Sequence, residues 1–199
     1  MTSNDNTVNI KSRGRRYHHG DLRSALVEEG LAELETTAPE DLSLREIARR
    51  AGVSATAVYR HFPDKAALLD ALCAVASEKM AVAFRKAMAG KAEGLEAFTA
   101  MGQEYVRFAL ANPNLFRLMT TSTPPDPGCD DAGVPAESSF GMLLRALRDL
   151  MPPGATAEER DIKRIQAWSM VHGLAMLMLD GQVPADDALI GKVVKATFL

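Results

Sequence analysis

The 199-residue sequence is poor in cysteine, and aromatic residues make up only 6% of it. Its two cysteines, Cys73 and Cys129, are too few and too far apart for a disulfide framework or a zinc site, so a reducing cytosol is the expected compartment. The net charge of -3 excludes a polycation, and any nucleic-acid contact must come from a local patch. No run approaches the roughly 18 to 20 apolar residues that span a bilayer, and the first residues hold no apolar signal segment, so no membrane partner is expected. Strand-type alternation of useful length is missing too, which leaves helical periodicity almost throughout. Catalytic patterns are also absent. No Ser sits in a G-x-S-x-G context, His18 and His19 lie apart from any nucleophile, and His172 has no second ligand at metal spacing. The expectation is a protein with no enzymatic activity, no cofactor and no metal.

What is present is a core. Hydrophobic residues reach 47% against 25% charged, the balance of a soluble globular chain. Leu22, Leu26, Gly30 and Leu34 recur four apart and predict a first helix over about 18–35, ended by Thr36-Thr37-Ala38-Pro39. Ser43 and Glu46 form a Ser-x-x-Glu capping box for a short second helix, broken at Ala51-Gly52-Val53. Ser54 caps the next helix, to about His61. Asp64 caps a long one to about Ala89, with Leu68, Leu72, Val75, Met80 and Ala83 inward. Further helices are expected over about 92–111, from Pro113, and over about 135–150, 156–181 and 185–197. "TTSTPPDPGCDDAGVP" reads as a mobile loop rich in Pro, Asp and Gly. The fold class is all-α. Its expected divisions are a flexible basic arm over 1–16, a helix-turn-helix module over 17–63, and a helical body over 64–199 for ligand binding and dimerisation.

The segment "LSLREIARRAGVSATAVYRHF" repays a physical reading. Leu44, Ile47 and Ala48 form one apolar face, and Val53, Val58 and Phe62 supply the other. Gly52 falls where two helices turn sharply and positive φ is needed, while Ala48 and Ala57 are small where the helices approach. This is a helix-turn-helix pattern, which serves either as a DNA reader or as a plain packing corner. As a DNA reader it would face outward through Ala55, Thr56, Tyr59, Arg60 and His61, next to the cap Ser54. Thr56 would offer a methyl or a hydroxyl to base edges, and Tyr59 and His61 would reach phosphates. Ser43 and Arg45 would hold a phosphate from the preceding helix, and Lys65 would add a point charge. Tyr59 and Phe62 lie three apart, so either can be core, and Phe62 is the better core candidate. Arg60 suits a phosphate or an acid of the first helix. Lys11, Arg13, Arg15, Arg16 and Arg23 crowd the start of the chain, as a solvated arm or as a DNA-gripping one.

With "AGVS", then "YRHF", a two-residue spacer and Lys65, residues 17–72 resemble the TetR family of transcriptional regulators. Ala57 departs from the Thr or Gly of many relatives. The resemblance implies a homodimer with two recognition helices in successive major grooves of a near-palindromic double-stranded operator. It further implies phosphate contacts from Tyr59 and Lys65, with Arg15 and Arg16 reaching along the backbone or into a minor groove. The implied activity is that of a repressor released by a small, largely apolar ligand. The alternatives are a ligand-independent or activating regulator, or a small-molecule binding protein or enzyme with a vestigial helix-turn-helix.

The body is less specific. "AWSMVHGLAMLMLDGQ" holds Trp168, His172 and Gly173, similar to the W-x-x-x-H-G signature of one TetR branch. Ile162, Ile165, Ser169, Gly173, Met176 and Leu179 form a stripe that is either a dimer seam or the core of a monomer. Ile190, Val193, Val194 and Phe198 are the matching candidates on the last helix. Candidates for an effector cavity are Phe84, Phe98, Met101, Tyr105, Phe108, Phe116, Met119, Phe140, Leu144, Trp168, His172 and Met176, unless these simply fill the core. The ten methionines would tolerate varied ligand shapes. Tyr105, Arg107 and His172 are the polar groups expected to orient a ligand.

Overall fold

Short polar residues set the helix starts. In the computed structural model, which describes residues 22–121 and 133–196, Ser54 Oγ accepts from Ala57 N at 3.3 Å and Asp64 Oδ1 from Ala67 N at 2.8 Å. Ser138 does the same for Gly141 N at 3.0 Å. Each cap satisfies a backbone donor that the first helical turn leaves unpaired.

The resulting order is α1 (Leu22–Leu34), a 3-10 turn (Pro39–Asp41), α2 (Leu44–Arg50), α3 (Ala55–Tyr59) and α4 (Lys65–Met88). Then come α5 (Leu95–Ala111), α6 (Pro113–Thr121), α7 (Ser139–Leu150), α8 (Ala157–Leu179) and α9 (Asp187–Ala196). No strand occurs among the described residues. The Pro/Asp/Gly-rich loop lies mostly outside the described residues, as do Cys129 and Phe198.

The expected capping box at Ser43 is only half formed. Ser43 Oγ accepts from Glu46 N at 3.5 Å, but the Glu46 carboxylate turns to Arg49, whose Nε donates at 2.8 Å. The Arg49 hydrogen bond and charge hold Glu46 below the ordinary carboxylate range. The complete box closes at α8, where Glu159 N donates to Thr156 Oγ1 at 3.2 Å and Thr156 N to Glu159 Oε2 at 2.7 Å. The sequence spells the same signature there, Thr156-x-x-Glu159.

A continuous buried cluster runs from Leu26 of α1 to Val194 of α9. Gly30 lets α1 close onto α4, since a Cβ there would stand 3.0 Å from Leu72 Cδ2. On α4 the inward residues are Leu68, Leu72, Ala76, Met80, Ala81 and Phe84, while Val75 and Ala83 are only half-buried. The four-residue stripe continues unbroken to Phe84, and the expected inward positions 75 and 83 fall to its side. Being 24 residues long, α4 extends about 36 Å at 1.5 Å per residue and packs against α1 near its start and α5, α6 and α7 beyond.

Candidate functional site

Helix α3 is held from beneath and bare on top. Val58 and Phe62, 0% and 1% exposed, anchor α3, and Gly52 at φ 69° makes the turn from α2. Burying each such side chain contributes about 1.5–3 kcal/mol. The Arg23 guanidinium lies 5.2 Å from the Phe62 ring centroid, a cover that the periodicity of the sequence does not reveal. Ser54, Ala55, Thr56, Tyr59, Arg60 and His61 are all exposed, Tyr59 at 49%. The Tyr59 or Phe62 alternative thus resolves with Phe62 inside. Arg45 is exposed and Ser43 half-buried at the start of α2.

Three basic residues near the turn differ in their partners. Arg60 makes no ion pair among the described residues. Arg50 is the residue that reaches α1, with Nε 3.0 Å from Glu29 Oε2. Lys65 is half-buried, and its Nζ donates to the Glu40 carbonyl of the 3-10 turn. That bond ties the start of α4 to the preceding loop and takes one of the ammonium's three donors. Arg15 and Arg16 lie outside the described residues.

A cavity of about 570 Å³ opens among α4, α5, α6, α7 and α8. Of the expected residues, Phe84, Phe98, Met101, Tyr105, Phe116, Met119, Phe140 and Trp168 line it. Phe108, Leu144, His172 and Met176 do not. Phe108 is buried in the core around the cavity, and on α7 Leu143 takes the wall position instead of its half-buried neighbour Leu144. Arg107 points away, its Nε donating to Asp187 Oδ1 of α9 at 2.6 Å. The sequence reading missed Arg164, which is 7% exposed and lines the cavity. It falls on the buried stripe of α8 with Ala167, Val171 and Leu174, and a lone charge on an apolar stripe was the available signal.

His172 sits behind the wall, half-buried. Trp168 Nε1 donates to Tyr105 Oη at 3.2 Å, and Tyr105 Oη lies 3.1 Å from His172 Nδ1. Burial pushes the Tyr105 hydroxyl up to about 12 and lowers His172 below its ordinary value. A protonated phenol and a neutral imidazole give the chain one direction. The indole N–H donates to the phenol oxygen, and the phenol O–H donates to Nδ1, so the imidazole proton sits on Nε2.

The proposed dimer stripe divides. Ile162, Ile165 and Ser169 are exposed, with both isoleucines near half, so they do not belong to a monomer core. Ile165 and Ser169 also line the cavity. Leu177 is exposed on the same face and was missed, whereas Met176 and Leu179 are half-buried. A Cβ on Gly173 would meet nothing within 4 Å. Ile190 and Val194 correct the expectation for α9. They are 1% and 0% exposed, and Val194 packs inward where a Cβ on Gly102 of α5 would stand 3.1 Å from it.

No helix among the described residues is long and apolar enough to cross a membrane. The family model of the bacterial regulatory proteins, tetR family, matches residues 26–72, and that of the tetracyclin repressor-like C-terminal domain matches residues 98–195. The nucleoid occlusion factor SlmA of Idiomarina loihiensis is 30% identical over 98 residues, 49% of this chain and 50% of that protein. The chain thus spans about half the length of this curated relative, and 40% of the Vibrio vulnificus protein of the same name. A protein of unknown function from Rhodococcus sp. RHA1 has a solved structure that superposes with a TM-score of 0.68 at 29% identity, covering 92% of this chain and 94% of that one. A TetR family transcription regulator from Marinobacter aquaeolei VT8 shares the fold with a TM-score of 0.64 at 18% identity, over 88% and 93% of the two chains. With its helix-turn-helix inside the first match, and α6, α7, α8 and most of α5 and α9 inside the second, the chain belongs to the TetR family of DNA-binding transcription regulators.

Proposed function

We propose that this regulator is a homodimeric repressor, released from a near-palindromic operator when a small, largely apolar ligand occupies the cavity. The observation that carries the reading is α4. One uninterrupted helix begins at Asp64 and Lys65, just beyond the recognition helix, and carries Ser77, Met80 and Phe84 on the cavity wall. A ligand that prefers a tilted α4 would change the separation of two recognition helices, whose spacing must match the groove.

In this reading Thr56 meets base edges, while Ser43, Arg45, Tyr59, Arg60, His61 and the remaining Lys65 donors meet phosphates. The α8 face of exposed Ile162, Ile165, Ser169 and Leu177 with half-buried Gly173 meets its copy, the open position at Gly173 allowing close approach. The division of labour is residues 17–63 for DNA, 64–199 for ligand and dimer, and 1–16 as a basic arm. Selection of fragments from a random-sequence DNA pool tests the reading. Enrichment of a two-fold symmetric site by the wild type, lost in a Thr56→Ala, Tyr59→Ala variant that still folds, supports it. Equal enrichment by both proteins contradicts the assigned surface.

A further inference from the structure

The cavity is apolar over most of its wall but carries one formal charge. Among the described residues its lining includes Arg164 and no Asp or Glu. A guanidinium removed from water at this depth is costly unless something pairs with it. Its partner is Asp161, one turn earlier on α8, and the pairing is lopsided. Arg164 Nε donates to Asp161 Oδ1 at 2.9 Å and Nη2 donates to the same oxygen, so no fork-on-fork pair forms and Nη1 meets no acceptor among the described residues. The Asp161 side chain is 46% exposed, whereas that of Arg164 is only 9% exposed. Water therefore competes for the acid far more than for the base. The Arg164 guanidinium also lies 5.8 Å from the Phe140 ring centroid, which orients it across the wall. Beside it, α7 begins at the cavity with Ser139 and Phe140, adding the positive end of a helix dipole. Of the nearby acids among the described residues, Asp161 holds the guanidinium from a position half in solvent, and Glu137 pairs with Arg145 at 3.6 Å.

We infer that the cavity takes an amphipathic monocarboxylate, an apolar body among the aromatic and methionine side chains with its acid head group on Arg164. The inference rests on the reading of the cavity as the effector site. A ligand carboxylate can meet the guanidinium with both oxygens, whereas Asp161 uses only Oδ1 for two N–H groups, and so competes with Asp161 for the same donors. The volume falls within the roughly 300–1,000 Å³ of sites that enclose small organic ligands. An ammonium head group would meet Arg164 and the α7 terminus with the wrong sign, and an alcohol could accept a hydrogen bond from the guanidinium but would bring no opposing charge.

Trp168 supplies the readout, since it is the only tryptophan in the chain and stands on the cavity wall. Dodecanoate, 1-dodecanol and dodecylammonium, each below its micelle threshold, are titrated against the full chain by Trp168 fluorescence and calorimetry. Dodecanoate is expected to bind at least about tenfold tighter than the alcohol, because its head group adds an opposing charge to the hydrogen bonds from the guanidinium. The amine is expected to bind weakest. Arg164→Gln should bring the acid down to the alcohol's affinity while the alcohol's own affinity holds. Asp161→Asn, which frees the guanidinium, should tighten the acid several-fold. That variant and the amine decide the matter even if Arg164→Gln does not fold. An alcohol that binds the wild type as tightly as the acid overturns the anion inference and leaves the effector-site reading standing. No binding by any of the three overturns both.

Discussion

The recognition surface and the cavity are built on opposite plans. The surface on α3 comes from consecutive residues of one short helix, fixed by two buried anchors, Val58 and Phe62, and two caps, Ser54 and Asp64. The cavity draws its wall from α4, α5, α6, α7 and α8, from Cys73 to Val171 in the sequence. A helix surface is thus a local property, while a cavity is what distant helices fail to fill. Substitutions should therefore uncouple folding from binding on α3 but mix them around the cavity.

The largest effect is expected from Phe62→Ala, which removes the anchor of α3. It should cost about 3–5 kcal/mol, read as a lower urea midpoint. Phe98→Ala, equally deep in the chain but with one side already facing the cavity, should cost clearly less. Equal costs would break the contrast between a filled core and an unfilled one. Next comes Thr56→Ala with Tyr59→Ala. Operator affinity should fall by about one to two orders of magnitude at fixed salt, with stability changed by no more than about 0.5 kcal/mol because both side chains are exposed.

The hydrogen-bonded chain behind the cavity gives a smaller, pH-dependent effect. Burial lowers His172 below its ordinary value near 6.5, so between its folded and unfolded values the unfolded state holds more protons. The His172 contribution to stability is then complete above about pH 6.5 and is lost as pH falls through its lowered folded value. Urea midpoints from pH 7.5 to 5.5 should decline less steeply in His172→Gln than in the wild type. The smallest change is expected from Thr156→Ala, at about 1 kcal/mol for a lost N-cap, with operator affinity unaffected.

These contrasts follow what the residues make legible. The order of helices could be read because caps and breakers act locally: Asp64, Pro113 and Gly52 stand where the sequence places them. The outward set on α3 was legible for the same reason, since helical spacing fixes which residues share a face. Lys65 was half legible. Its position is local, but its bond to the Glu40 carbonyl depends on how the 3-10 turn folds back. The cavity was legible as a list of large apolar residues but not as a wall. Phe108 and Phe116 both look like lining, and only the packing of α5 against α6 and α8 sends one to the cavity and the other into the core. On α9, Ile190 and Val194 form an apolar stripe that periodicity cannot assign to a partner chain or to α5. The small side of α5 at Gly102 decides for α5.

The central claim is that α4 couples cavity occupancy to DNA affinity. It is tested by titrating labelled operator with and without the tightest binder from a Trp168-fluorescence screen, at several salt concentrations. The account predicts weaker operator binding in the ligand's presence, and ligand binding weakened by the operator by the same factor. Identical operator affinities at every salt concentration, with the cavity demonstrably filled, would contradict it.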